Sequence, residues 1–196
     1  MLKKIFSRKS DYPVLPEERM RALEGSNSAD MAATLLTAPT ALMQLTEQEA
    51  KVIVSYMKPR KIPTGTAFIK EGDAKDTGYM LLVLDGEVTV ENIVVSRISA
   101  VTVNVLGPGS LIGEMGLVDG EPRSATCTAT TDVRCAVLTR EALQTLMHEQ
   151  PEIGGKLMMA VSLRIAQRLR ETADKLKLYS QLTQAMQQEI DKLMPT

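Results

Sequence analysis

The chain has 196 residues, of which 44% are hydrophobic and 24% charged, with 23 Lys+Arg against 24 Asp+Glu. That size and apolar content suit one ordinary domain with extensions and exclude wholesale disorder, and a net charge of −1 excludes a general attraction to nucleic acid or anionic lipid. The longest apolar run, Tyr79 to Leu84, falls far short of the ~20 residues of a membrane helix, no secretory pattern opens the chain, and two cysteines with one histidine, His148, are too few for a thiolate cluster or a His-rich metal site.

The expected compartment is the cytoplasm, and charge divides the chain into segments 1–44, 45–150 and 151–196. In the first, Lys3, Lys4, Arg8 and Lys9 stand without an acid. This leader reads as a solvated terminus, with contact to a membrane or an acidic partner as the other reading. After Pro13 and Pro16 the pattern predicts a helix over about Glu17–Leu23, ended by Gly25, then a loop at Ser26–Ser28 and a short helix over Ala29–Leu36.

The second segment opens on a capping box, Thr46 with Glu49, and Ala50, Ile53, Tyr56 and Met57 share the face that follows. After Pro59 the period drops to two. Short stretches rich in Val, Ile and Thr (80–84, 88–95, 101–106, 125–130 and 134–138) are cut by glycines at nearly regular spacing. Such strands predict an antiparallel sandwich or jelly roll. Cys127 and Cys135 fall in them and read as small buried apolar residues.

From Thr139 through the third segment the chain is predicted to be helical. Thr139 is an N-cap, Leu138 and Leu143 have staple spacing, and Pro151 starts a new helix that Gly154 and Gly155 weaken. This junction is the expected moving part. Met158, Val161, Ile165, Leu169, Thr172, Leu176, Tyr179, Thr183, Met186, Ile190 and Leu193 then follow steps of three and four, a heptad seam with one irregular step near Ile165. Two readings fit it: a parallel homodimer through the helix, or a helix folded back on its own domain. The fold expected is therefore α+β, an antiparallel β-roll with flanking helices and a long C-terminal dimerisation helix.

Chemistry concentrates between Gly107 and Thr126. Glycines at 107, 109, 113, 116 and 120 surround Glu114 and Arg123. Backbone amides beside glycine can approach an anion, the Arg fork can clamp two phosphate oxygens, and the Glu carboxylate can accept from a sugar hydroxyl. On composition alone a surface loop with a solvated ion pair fits equally well. No nucleophile, base and orienter come together, so catalysis is not predicted.

This stretch, Gly113-Glu114 followed by Pro122-Arg123-Ser124-Ala125, resembles the phosphate-binding cassette of the cyclic-nucleotide-binding domain family. Lys70-Glu71-Gly72-Asp73, Tyr79 and Gly86-Glu87-Val88 resemble its earlier motifs in the right order, and the resemblance covers about Leu45 to Lys177. It implies a bound cyclic nucleotide, cAMP with cGMP as the alternative. Gly113 and Met115 would give backbone contacts, Glu114 would take the ribose 2′-hydroxyl, and Arg123 the cyclic phosphate, with help from the Ser124 hydroxyl and the Ala125 amide. Residues 165–175 resemble the dimerising helix of the catabolite activators, which sets Thr172 against the base. Ala173 stands where the activators carry a serine, so a contact from across the dimer would be missing. No helix-turn-helix follows that helix, so direct DNA binding is not expected and an effector protein, of unknown identity, is. The alternative is a structural adaptor that keeps the fold without responding to nucleotide.

Overall fold

The computed structural model describes residues 16–193 apart from 22 and 93–100. The basic leader, Pro13, and the end of the strand expected over 88–95 lie outside the described residues. Three helices, α1 (Pro16–Arg21), α2 (Asn27–Leu36) and α3 (Glu47–Val54), precede the strands. Ser26 caps α2 with its side chain, and Thr46 and Glu49 form the reciprocal capping box at α3.

Eight strands follow: β1 (Lys58–Ile62), β2 (Ala67–Ile69), β3 (Tyr79–Asp85), β4 (Val88–Asn92), β5 (Val101–Leu106), β6 (Leu111–Ile112), β7 (Thr126–Ala129) and β8 (Val133–Thr139). A short helix, α4 (Glu114–Asp119), interrupts them. They form two antiparallel sheets in the orders β1-β8-β3-β6 and β2-β7-β4-β5. Strand β3 pairs with β8 from Tyr79↔Thr139 to Leu82↔Ala136 before a register shift.

The apolar run through β3 is explained by burial on both faces. Tyr79, Leu81 and Val83 point between the sheets, against Ile69, Ile112, Cys127 and Cys135. Met80 and Leu82 point outward into a second core made by the helices. Ala29, Ala32, Ala33 and Leu36 of α2 lie in that same outer core, with Ile53, Leu138 and Leu146. Helices α2 and α3 are thus packed on the roll.

Helix α5 (Arg140–Glu149) starts at Thr139, whose side chain accepts from the Ala142 amide at 3.2 Å, and α6 (Pro151–Leu193) runs 43 residues. Gly154 does more than weaken its helix. A Cβ there would sit 2.9 Å from Cα of Met147, so the glycine lets α6 lie directly on α5. At Gly155 a Cβ meets nothing within 4 Å. Opposite signs are therefore expected from one substitution at two neighbouring positions. Gly154→Ala should cost about 1–3 kcal/mol by overpacking, and Gly155→Ala should gain up to about 1 kcal/mol from helix propensity. Thermal unfolding of the two variants decides; equal shifts would refute the close-packing role.

Glu49 joins two helix starts. One carboxylate oxygen accepts from the Thr46 amide at 2.9 Å and the other from Lys156 Nζ at 2.5 Å. Lys156 first, then Thr46, hold the carboxyl at about 2, down from the ordinary 4.5. A lowered carboxyl stabilises the fold above its unfolded pKa and loses that contribution as pH falls through the folded one. Lys156→Met should thus be less stable than the parent at pH 7, and the gap should close between pH 4.5 and about 2. A gap independent of pH in acid titrations followed by circular dichroism would exclude this pairing.

Candidate functional site

The turn from Gly113 into α4 brings the cassette to the open end of the roll. Gly113, with φ +84°, caps α4 without a side-chain hydrogen bond, so no capping side chain takes up the helix's first amides. Only a residue without Cβ adopts that conformation cheaply. Gly116 is required for space: a Cβ there would lie 2.7 Å from the Thr77 carbonyl and 2.8 Å from Arg123 Nη1.

Arg123 is 6% exposed, and its guanidinium organises the floor of the site. Nη1 donates to the Gly113 carbonyl at 3.1 Å, Nη2 to those of Asp76 and Tyr79 at 3.1 and 3.2 Å, and Nε to Asp76 at 3.3 Å. The group also stacks 4.4 Å from the centre of the Tyr79 ring. Its backbone is gripped as well. The Gly72 amide donates to the Arg123 carbonyl at 2.8 Å, and the Arg123 amide donates to Asp73 at 3.0 Å. The Gly72-Asp73 turn thus serves as a clamp that fixes the arginine.

Glu114, 1% exposed, is not paired with Arg123. Its carboxylate accepts a hydrogen bond from Arg168 Nη1 of α6, a partner that sequence reasoning did not single out. The reading of a solvated surface pair is thereby corrected: both charges are buried and each is satisfied separately. The sequence signal was one of position on the helix only and did not identify Glu114 as the partner. Arg168 lies one turn past Ile165, on the side of α6 that packs against the roll. A second arginine was also missed. Arg140, the first residue of α5, donates to the carbonyls of Gly116 and Leu117 at 2.8 and 3.1 Å, and so ties the end of α4 to α5.

Six of the seven candidate residues line one cleft: Gly113, Glu114, Met115, Arg123, Ser124 and Ala125. Apolar Ile69, Val90, Leu111 and Cys127 line it too, together with the charged Asp119, Glu121 and Arg168. Burial pushes the Cys127 thiol up to about 11, so it stays protonated and serves as packing. Thr172 is not brought to the cleft. It is exposed, one turn beyond Arg168, and its hydroxyl donates to the Arg168 carbonyl at 2.8 Å. Among the described residues no helix is long and apolar enough to cross a membrane.

An anion facing the α4 amides with Arg123 beneath, and a hydroxyl group facing Glu114, would together satisfy this cleft. Residues 59–150 match the cyclic nucleotide-binding domain family. A solved cyclic nucleotide-binding domain from Methylobacillus flagellatus superposes with a TM-score of 0.66 at 30% identity, covering 77% of this chain and 83% of that one. The cyclic AMP receptor protein of Thermus thermophilus is 32% identical over 136 residues. A CRP-like cAMP-activated global transcriptional regulator of Mycobacterium tuberculosis is 29% identical over 139 residues. These matches take in 69% and 70% of this chain, and it spans only 60% and 55% of the length of those two relatives.

Proposed function

This chain belongs to the cyclic nucleotide-binding domain family, and on that premise we propose that it is a cytoplasmic receptor for cAMP that signals through protein contacts. The carrying observation is the convergence of buried Glu114 and Arg123 on one apolar cleft. In this reading Arg123 neutralises the cyclic phosphate, helped by the Ser124 hydroxyl and the Ala125 amide. Gly113 and Met115 contribute backbone contacts, and Glu114 accepts the ribose 2′-hydroxyl while its second oxygen keeps Arg168. Thr172 reads the adenine once its hydroxyl turns from the Arg168 carbonyl. The chain acts as a binding protein rather than an enzyme. It works as a homodimer through α6, whose exposed apolar stripe supports a protein partner.

One observation favours the adaptor reading: Glu114 and Arg123 each already have hydrogen-bond partners within the chain itself. Isothermal titration separates the two. The receptor reading requires saturable heat with cAMP, weaker with cGMP, and a narrowed cAMP:cGMP affinity ratio in Thr172→Ala. No heat with either nucleotide at verified fold would leave the adaptor; an unchanged ratio in Thr172→Ala would remove the basis for adenine preference.

A further inference from the structure

Five charged side chains line the cleft, two cations and three carboxylates. Glu114 and Arg168 bind one another, so their charges cancel. Arg123 is left with Asp119 and Glu121, which stand at the turn where α4 ends and the chain heads back to the arginine. Both carboxylates are exposed, and neither forms an ion pair among the described residues. The fold does not account for their charge. Asp119 is the last residue of α4, where a negative charge opposes the helix dipole. Its Oδ1 accepts from the Glu121 amide at 3.0 Å, a bond that an asparagine oxygen would also make.

We infer that Asp119 and Glu121 are specificity residues, whose charge lets the cleft take a cyclic phosphodiester and turns away the linear phosphomonoester. The inference rests on the receptor reading above and deepens it. Positive charge in the cleft is scarce. Arg123 donates four of its five N–H groups to the carbonyls of Gly113, Asp76 and Tyr79, which leaves one, on Nη1, for a ligand among the described bonds. A cyclic nucleotide brings one negative charge to that one guanidinium.

Hydrolysis changes the ligand's charge more than its outline. Water adding across the P–O3′ bond frees the 3′-hydroxyl and leaves a 5′-monoester, with a charge of about −1.5 to −2 near neutrality. Base and sugar are otherwise the same. Repulsion from a fixed carboxylate grows in proportion to the ligand's charge. The factor by which Asp119 and Glu121 weaken the monoester therefore approaches the square of the factor for the cyclic ester. A cleft so lined ignores the product of the hydrolysis that removes its own ligand.

Displacement of a fluorescent cAMP analogue from the full chain, by cAMP and by 5′-AMP, tests this. Asp119→Asn with Glu121→Gln removes both charges and keeps both shapes. At about 0.01 M salt, where charges act over about 30 Å, this double variant should bind cAMP about threefold and 5′-AMP at least sixfold tighter than the parent. At about 1 M salt the range falls to about 3 Å, and both gains should drop below twofold. Glu121→Lys should favour 5′-AMP further than Glu121→Gln does. Equal gains for the two ligands, or gains that salt leaves untouched, would overturn the inference while cAMP binding stands. Weaker cAMP binding in the double variant would overturn it too, since the carboxylates would then be holding the ligand. So would 5′-AMP that displaces nothing from either protein. A parent that binds no cAMP would overturn the receptor reading and this inference together.

Discussion

Arg123→Lys is expected to lose at least a hundredfold in cyclic-nucleotide affinity and to melt lower than the parent even without nucleotide. The two losses share one cause. The guanidinium holds three carbonyls, of Gly113, Asp76 and Tyr79, in a single plane, and stacks on the Tyr79 ring. Those carbonyls belong to the cap of α4, the turn before β3 and the first residue of β3. A lysine keeps the charge but has neither the plane nor the fork, and a compact ammonium cannot reach all three groups. Each buried carbonyl left unsatisfied costs on the order of 1–3 kcal/mol, so about 3 kcal/mol of stability is at risk. On the binding side, a desolvated phosphate facing a misplaced cation loses its charge-assisted contact, and every 1.4 kcal/mol is about tenfold in affinity. Thermal unfolding with and without cAMP reads both effects in one experiment. A lysine variant that binds within threefold of the parent would show that Arg123 serves the fold alone.

How far the sequence carried the structure follows from the range of each interaction. Capping is local, so Thr46 with Glu49 and Thr139 with Ala142 were legible within four residues. Five of the eight described strands were legible, because alternation survives in β7 and β8 and β3 is apolar on both faces, whereas β1, β2 and β6 are too short or too exposed to show a pattern. The cassette was legible through its resemblance to a family pattern, whose glycines the structure explains: Gly113 by its positive φ and Gly116 by the lack of space for a Cβ. What could not be read was pairing across the chain. Glu114 and Arg168 are 54 positions apart, and only the packing of α6 against the roll decides that they meet. Composition suggested Arg123 as the partner of Glu114, but Arg123 is consumed by carbonyls, which leave no trace in residue type. Gly154 misled for a related reason, since a glycine that breaks propensity and a glycine that admits a neighbouring helix look identical in sequence.

The pair between Glu114 and Arg168 is the one charge contact joining the cassette helix to α6, among the described residues, and removing its halves should have unequal effects. Arg168→Ala leaves a carboxylate that is 1% exposed without its cation. Breaking a fully buried pair this way costs about 3–5 kcal/mol. The arginine side chain is 42% exposed, however, so water can take part of its place and about 1–3 kcal/mol is the better expectation. Glu114→Gln should cost less, because an amide oxygen still accepts from Arg168 and no charge remains to be desolvated. In the double variant no buried charge is stranded, so the two losses should fail to add by at least about 1 kcal/mol, as contacting residues do. The binding effects should order the other way. Glu114→Gln weakens the acceptor for a ribose hydroxyl directly, whereas Arg168→Ala leaves both carboxylate oxygens available. Denaturant unfolding of the four proteins measures the coupling, and cAMP titration of the same set measures the order. Strictly additive stabilities would mean that the contact does not hold α6 to the cassette. A larger affinity loss in Arg168→Ala than in Glu114→Gln would mean that the nucleotide meets the arginine rather than the carboxylate.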